Sequence, residues 1–561
     1  MTESAPLDSG IPPSDSTDKT DSTDKKPWFA LALLSLGVAM IIVDGTVVNV
    51  ALPSMIKDLN MTFSDAEWVN TIYALVFAAL LINFGRLADI RGRKLLFLVG
   101  IVVFVASSLL AGQSDTASQL ILARFFQGIG AAIILPTTLS SVNTLFTGKS
   151  RAIAFAVWGS VIGGMAAVGP LLGGWLTTYH SWRWVFYINL PIGLLVLVLS
   201  LFFVPETKDA SARRGSDPAG SVLIGAGLAS LVFAMIEGQQ YGWVKPTAEF
   251  SLGALTWPAT APVSIVIVAF VFSAACLTAF VVIERGRNRA DKVVVLDLSL
   301  FGLKSFRWGN TTALIVSLGE FGLVFVLPLY LQNVLGFTPI KSGVYLAFIA
   351  AGAFLATPLV AKLAQKKGSR FVVMVGMMFE AVSVAGIALV VQPDTGTEII
   401  PLLFTYGIGI GFATAQLTGA SLADVPVEES GQGSGTQSTS RQIGSALGIA
   451  VLGAILAVGL GAFTKDQVAQ VPGVTAEQAD QISQAVRTSG GGAIAELRAQ
   501  PGTEAIVEAA DIAFVSAMRL TVGLAAIFIL FGLLAASRLP PGQLHDPPAE
   551  APQEPIPAGS A

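Results

Sequence analysis

Fourteen apolar runs of roughly 20 residues recur along the chain, each long enough as a helix to cross a hydrocarbon core of about 30 Å. They lie at 29–50, 68–87, 95–112, 119–142, 152–176, 183–204, 220–237, 263–283, 309–332, 343–362, 371–391, 400–423, 440–461 and 513–537. A soluble fold would have to bury all of them in one core. The composition argues against that: 53% of the 561 residues are hydrophobic and 12% are charged, about half the charge of an ordinary soluble domain. The expected fold is an all-α, multi-pass integral membrane protein.

An even number of spans puts both ends of the chain on one side. Lys and Arg choose that side, because loops facing the cytoplasm carry the excess of them. Arg86, Arg91, Arg93, Lys94, Arg285, Arg287, Arg289, Lys366, Lys367 and Arg370 all fall in loops on the side of the termini. The opposite loops hold Lys57, Lys245, Lys341, Lys465, Arg487 and Arg498. Both termini are therefore expected in the cytoplasm, on the inner side of the membrane.

The loop after the second run is a dense block, Gly85-Arg-Leu-Ala-Asp89-Ile-Arg91-Gly92-Arg93-Lys94. A faded copy, Ala361-Lys-Leu-Ala-Gln365-Lys-Lys-Gly368-Ser-Arg370, follows the tenth run. The offset is eight spans, so two related six-helix halves would be separated by two extra helices. Internal repeats of this kind are common in secondary transporters. The expected divisions are a disordered tail over 1–27, a first half over 28–205, an insertion over 206–308, a second half over 309–538 and a disordered tail over 539–561. The polar segment 462–512 is expected as a partly helical outer loop, a solvated cap in the simplest reading.

Ionisable groups inside the apolar runs are costly unless paired or wet, and so mark functional sites. Asp44 in the first run and Arg124 in the fourth stand at similar depth. They fit a static pair, or a carboxyl facing water with Arg124 beside it. Burial favours a neutral acid and a neighbouring guanidinium favours the carboxylate, so a carboxyl subject to both is suited to trading protons. Glu320 stands 276 residues after Asp44, the same offset that separates Gly85 from Ala361. It is therefore a second candidate at a matching place. Glu380 is ranked below it, on a helix expected to be peripheral. Glu237 closes the seventh run, and Arg441 at the start of the thirteenth is free to pair with a carboxyl or a lipid phosphate. The fifth run carries Gly163, Gly164, Gly169, Pro170, Gly173 and Gly174. Small residues permit close helix approach and Pro bends a helix.

One cysteine, Cys276, and two histidines, His180 and His545, leave no disulfide within the chain and no His/Cys metal set. No segment has the pattern of a nucleotide-binding loop, and nothing points to nucleic acid. An enzyme would need a clustered reactive set, and none is present. No cofactor is expected beyond a proton gradient.

These blocks resemble the major facilitator superfamily, in its fourteen-helix drug:proton antiporter branch of the EmrB/QacA type. The resemblance rests on the block from Gly85 to Lys94, with Gly85, Asp89, Arg91, Gly92, Arg93 and Lys94 in place. It also rests on Arg124-Phe-Phe-Gln127-Gly128-Ile-Gly130, on Gly169-Pro170-Leu-Leu-Gly173-Gly174, on Asp44 to Pro53, and on Trp182-Arg183-Trp184-Val-Phe186-Tyr-Ile-Asn189-Leu-Pro191. It implies two halves rocking about a central cavity, with Gly85, Arg86, Asp89, Arg91, Gly92 and Arg93 gating the cytoplasmic side. Gly164, Gly169, Pro170, Gly173 and Gly174 would form the antiporter helix. It implies proton-coupled export of small amphipathic, cationic compounds, with membrane lipids as surroundings. A dedicated exporter of a lipid, metabolite or antibiotic is the alternative with the same fold. A monomer and an envelope partner both stay open.

Overall fold

The computed structural model describes residues 25–541, apart from 147, 209–216, 253–254, 291 and 427–429. The expected tails lie outside the described residues except for 25–27 and 539–541. The described chain is helical but for one two-stranded hairpin. It begins with α1 (Lys25–Asp58), α2 (Phe63–Arg91), α3 (Arg93–Gly112), α4 (Ala117–Leu145), α5 (Gly148–Tyr179), α6 (Trp184–Tyr187) and α7 (Asn189–Phe203). Then come α8 (Pro218–Tyr241), the hairpin β1 (Phe250–Leu252) and β2 (Leu255–Trp257), and α9 (Ile265–Arg289). A 3-10 turn, Leu298–Gly302, leads into α10 (Lys304–Asn333), α11 (Pro339–Lys367), α12 (Ser369–Val390), α13 (Ile399–Leu422) and α14 (Ser430–Val468). Two short helices, α15 (Ala476–Thr488) and α16 (Gly492–Arg498), precede α17 (Glu504–Ala536).

Thirteen spans among the described residues are long and apolar enough to cross a membrane, with α6 and α7 counted as one. The 32-residue α5 stands at the fifth expected run and completes fourteen. Backbone groups in lipid must be satisfied within the segment, which is why these runs are helical.

Three expectations change. The run 183–204 is not one helix: it breaks at Ile188, between α6 and α7. The second helix begins at Phe63 rather than 68, because Thr62 and Asp65 form a reciprocal capping box. The thirteenth begins at Ser430, so Arg441 lies inside α14 and not at its start. The segment 462–512 is partly helical: α14 runs to Val468, α15 and α16 follow, and α17 starts at Glu504.

Helices α1–α7 pack among themselves, as do α10–α14 and α17, and α8 packs on α9. The two sets meet along α5 against α11 and α2 against α14. Core packing is uneven along this seam. At the end away from the Gly85 block, one continuous apolar cluster joins both sets, from Val47, Leu52 and Phe63 to Phe325, Tyr330 and Phe514. At the block end the core divides. One cluster, including Leu34, Phe77 and Phe97, belongs to the first set. Another, including Val316, Met377 and Leu417, belongs to the second. The bundle is thus closed at the far end and divided toward the block end.

Candidate functional site

Asp44 on α1 is fully buried, and Arg124 on α4 is 1% exposed. The Arg124 guanidinium donates to Asp44 Oδ2. Its Nε donates to the Val69 carbonyl at 3.1 Å, and Nη1 also donates to Gln127 Oε1 at 3.0 Å. The Tyr73 ring lies under the guanidinium, 4.2 Å from its carbon. The second Asp44 oxygen accepts from Gln127 Nε2 at 3.1 Å and Asn189 Nδ2 at 3.0 Å. Both amides also donate to Ser108 Oγ, at 2.8 and 3.2 Å. Of the two arrangements the sequence allowed, this conformation holds the sealed pair. Gln127 and Asn189 stand in the family-like blocks but were given no site role from the sequence, and Ser108 was not named. Asn189 reaches inward at the α6–α7 break, and Gln127 follows Arg124 by one helical turn. Charge in an apolar run was the signal used, and neutral amides do not give it.

A second group lies in the other half. Arg441 Nη2 on α14 stands 3.6 Å from Glu320 Oε2 on α10. Arg441 therefore pairs with a carboxyl. Glu380 on α12 is fully buried; it lies within electrostatic reach of Glu320 and Arg441 and packs against Gly409 of α13. Its helix is not peripheral to the charged group, contrary to the lower rank given from sequence. Among the described residues, neither Glu380 oxygen nor Glu320 Oε1 has a hydrogen-bond partner, and the hydroxyl of nearby Tyr406 has none either. One guanidinium thus contacts one acid and lies within electrostatic reach of a second. Replacing Arg441 with Gln is expected to cost about 3 kcal/mol of stability, the low end for unpairing a buried charge, because Arg441 keeps some exposure. The Arg441→Gln/Glu320→Gln double variant should recover most of it. Thermal unfolding of the purified protein measures both; additive losses would refute the pairing.

Glu237 on α8 joins neither group. Its Oε1 accepts from Ser64 Oγ and Trp68 Nε1, each at 2.8 Å.

The Gly85 block makes a compact turn between α2 and α3. Asp89 pairs with Arg93 at 2.8 Å, and Arg93 also donates to the Ser140 carbonyl at 3.3 Å and to Thr144 Oγ1 on α4. Arg86 donates to the Val294 carbonyl at 3.0 Å, beyond the inserted helices. Arg91 is exposed. Gly85 lies against Pro136. Gly92 has φ 127°, where a side chain is strained, and a Cβ there would also meet the Glu206 carboxyl at 2.8 Å. Glu206 uses that space to accept from the Lys94 and Leu95 amides at 3.1 and 3.3 Å, an anion at the N-terminus of α3.

Along α5 the small residues divide between two partners. Gly169 and Gly173 lie on α1, Gly173 against the Val47 carbonyl. Gly174 lies on the first turn of α11, and Gly343 of α11 returns the contact at Pro170. Among the described residues, nothing beyond its own stretch of helix lies within 4 Å of the place a Cβ at Gly164 would take. Elsewhere at the far end, Gln332 Nε2 donates to the Val50 carbonyl and the Ile340 amide to Thr178 Oγ1, both at 2.9 Å. The Trp182–Arg183 block anchors α1 there: Trp182 Nε1 and Arg183 Nη1 both donate to Asp58, at 2.9 and 2.5 Å. An apolar groove of about 540 Å³ between α10 and α17, lined by Trp308, Ile315, Phe528 and Phe531 among others, contains none of these charged groups.

The family model for the Major Facilitator Superfamily matches residues 34–449. A puromycin resistance protein from Streptomyces alboniger is 34% identical over 79% of this chain and 84% of its own length. A tetracenomycin C resistance and export protein from Streptomyces glaucescens is 29% identical over 96% of this chain and 95% of its own. Among solved structures, a bacterial homologue of the human lysosomal transporter Spinster, in an inward-facing and occupied conformation, matches with a TM-score of 0.61 and 17% identity. That match covers 92% of this chain and 98% of the other, and concerns the fold.

Proposed function

We propose that this chain, which belongs to the Major Facilitator Superfamily, is a proton-coupled efflux transporter for small amphipathic, cationic compounds. The observation that carries the reading is the sealed Asp44–Arg124 pair, held by Gln127 and Asn189 deep in the first half. A carboxylate at that depth persists because every lone pair in use is matched. Protonation removes its charge and so weakens the pair, which links a proton to the packing of α1 on α4. The resistance proteins among its relatives support efflux as the direction.

With both termini in the cytoplasm, the far end faces outward and the described conformation is closed to the outside. When the halves rock the other way, a proton from outside neutralises Asp44, and a cationic substrate leaves. Return to the closed state carries the proton inward, where Asp44 releases it and re-forms its pair with Arg124. Glu320, Glu380 and Arg441 form the second charged group, within reach of a cationic substrate or a second proton. The Gly85 block ties α2, α3, α4 and the link to the second half together, so they move as one piece at the cytoplasmic gate.

The test is proton movement in acid-loaded inverted vesicles. Adding a lipophilic cation such as ethidium should raise the internal pH of vesicles containing the protein and leave empty vesicles unchanged. The absence of any response across a panel of such cations would sink the multidrug reading. It would favour the second reading, a dedicated exporter of one metabolite or antibiotic, to which the tetracenomycin C relative lends support.

A further inference from the structure

Glu67 belongs to none of the groups above. It lies near the start of α2, just past the capping box at Thr62 and Asp65. Its side chain is fully buried, and among the described residues neither carboxyl oxygen has a hydrogen-bond partner.

Three helices enclose it. Glu67 extends from α2 of the first half. Gly453 of α14, in the second half, leaves the space its carboxyl fills; a side chain there would overlap Glu67 Oε1. The inserted helix α8 brings Glu237, the charged group within electrostatic reach of Glu67. Asp65, the other acid nearby, acts on Glu237. Gln239 fastens α8 to α14 through the Ala454 carbonyl at 3.2 Å.

The two glutamates are treated differently. Glu237 has two donors, Ser64 and Trp68, and Glu67 has none. A bare carboxylate sealed from water beside a second carboxylate is strongly disfavoured, and the neutral acid escapes that cost. The site sits on the α2–α14 seam, at the end where the two halves close. Separating the halves lifts Gly453 away from Glu67 and admits water to it.

We propose that Glu67 is a proton-binding latch on the outer gate. The seam closes with one proton on Glu67, taken from the outer side, and returns that proton to the same side when it opens. No net charge crosses the membrane in this step. External acid therefore favours the closed gate, independently of the proton exchanged at Asp44. The proposal rests on the alternating-access reading above for the motion itself.

Spin labels at Gln113 and Asp394, both exposed at the far end and one in each half, would report the gate in lipid nanodiscs. Cys276 is first replaced by Ser. In the otherwise wild-type protein the open-to-closed ratio should rise with pH between 5 and 8, by up to about tenfold per unit, the limit for one-proton linkage. Glu67→Gln should hold the ratio low and remove that rise, leaving only the opposite dependence that protonation of Asp44 brings. Should Glu67→Gln fail to insert, Glu237→Gln decides: removing the neighbouring carboxylate should displace the profile along the pH axis without flattening it. A Glu67→Gln profile that follows the wild type, or an undisplaced Glu237→Gln profile, overturns the latch. The failure of vesicle transport beside an intact pH profile would count against the export reading and leave the latch standing.

Discussion

Asp44→Asn should abolish proton-coupled efflux while the protein still inserts in the membrane. Asn keeps the size of Asp and can still accept from Gln127 and Asn189, but it cannot carry a proton through a cycle. It also leaves the Arg124 guanidinium, 1% exposed, without its counter-charge. Breaking a buried pair from one side costs about 3–5 kcal/mol, so the variant should unfold at a lower temperature as well. The two losses separate in a double variant. Asp44→Asn/Arg124→Gln removes the stranded charge, so it should recover stability without recovering export. Vesicle proton flux and thermal unfolding read the two effects. Normal flux in Asp44→Asn would falsify the role given to the carboxyl. Flux restored in the double variant would assign the defect to the stranded arginine instead.

Gly174→Val should prevent the outer gate from closing. A Cβ at Gly174 would lie 2.6 Å from the Pro339 carbonyl oxygen and 2.8 Å from Ile340 Cα. Both belong to the backbone of α11 and cannot swing aside as the end of a side chain can. Gly343 makes the reciprocal approach to Pro170, so the two helices have no spare distance to yield. Overpacking typically costs about 1–3 kcal/mol, and here it falls on the closed state alone. That moves the open-to-closed ratio by roughly fivefold to more than a hundredfold, with export lost. Cysteines at Thr178 and Ile340, adjacent across this contact, should cross-link readily in the parent and poorly in Gly174→Val. The control is Gly164→Ala, whose Cβ meets nothing within 4 Å among the described residues beyond its own helix and which should leave this cross-link unchanged. Equal cross-linking in the parent and Gly174→Val would show that the seam tolerates the added bulk.

The helices were legible because the bilayer makes one demand on every segment, about 20 apolar residues, and that demand is local. Local capping marks boundaries too. Thr62 and Asp65 carry a capping pattern that places the α2 start at Phe63, and reading it would have brought Glu67 inside the helix. The break in the run 183–204 was not legible from apolarity, which continues through Ile188. Asn189, next to that interruption, donates to Asp44. Similarly, the charge of Glu380 was visible, but its nearness to Arg441 was not. Those residues stand on α12 and α14, and the chain between them does not record how the helices are arranged.

The sequence by itself determined the membrane class, the fourteen apolar spans, the family resemblance and the candidate charges. Each follows from composition or short-range pattern, which the chain carries within one helix or one turn. The tertiary structure alone decided which charges meet: Asp44 with Arg124, Gln127 and Asn189; Glu320 with Arg441; Glu67 with no partner beside Glu237. It alone decided that the core is continuous at one end and divided at the other. Those outcomes depend on helices packing across large separations in sequence, where contact is set by shape and by the cost of leaving a buried charge alone.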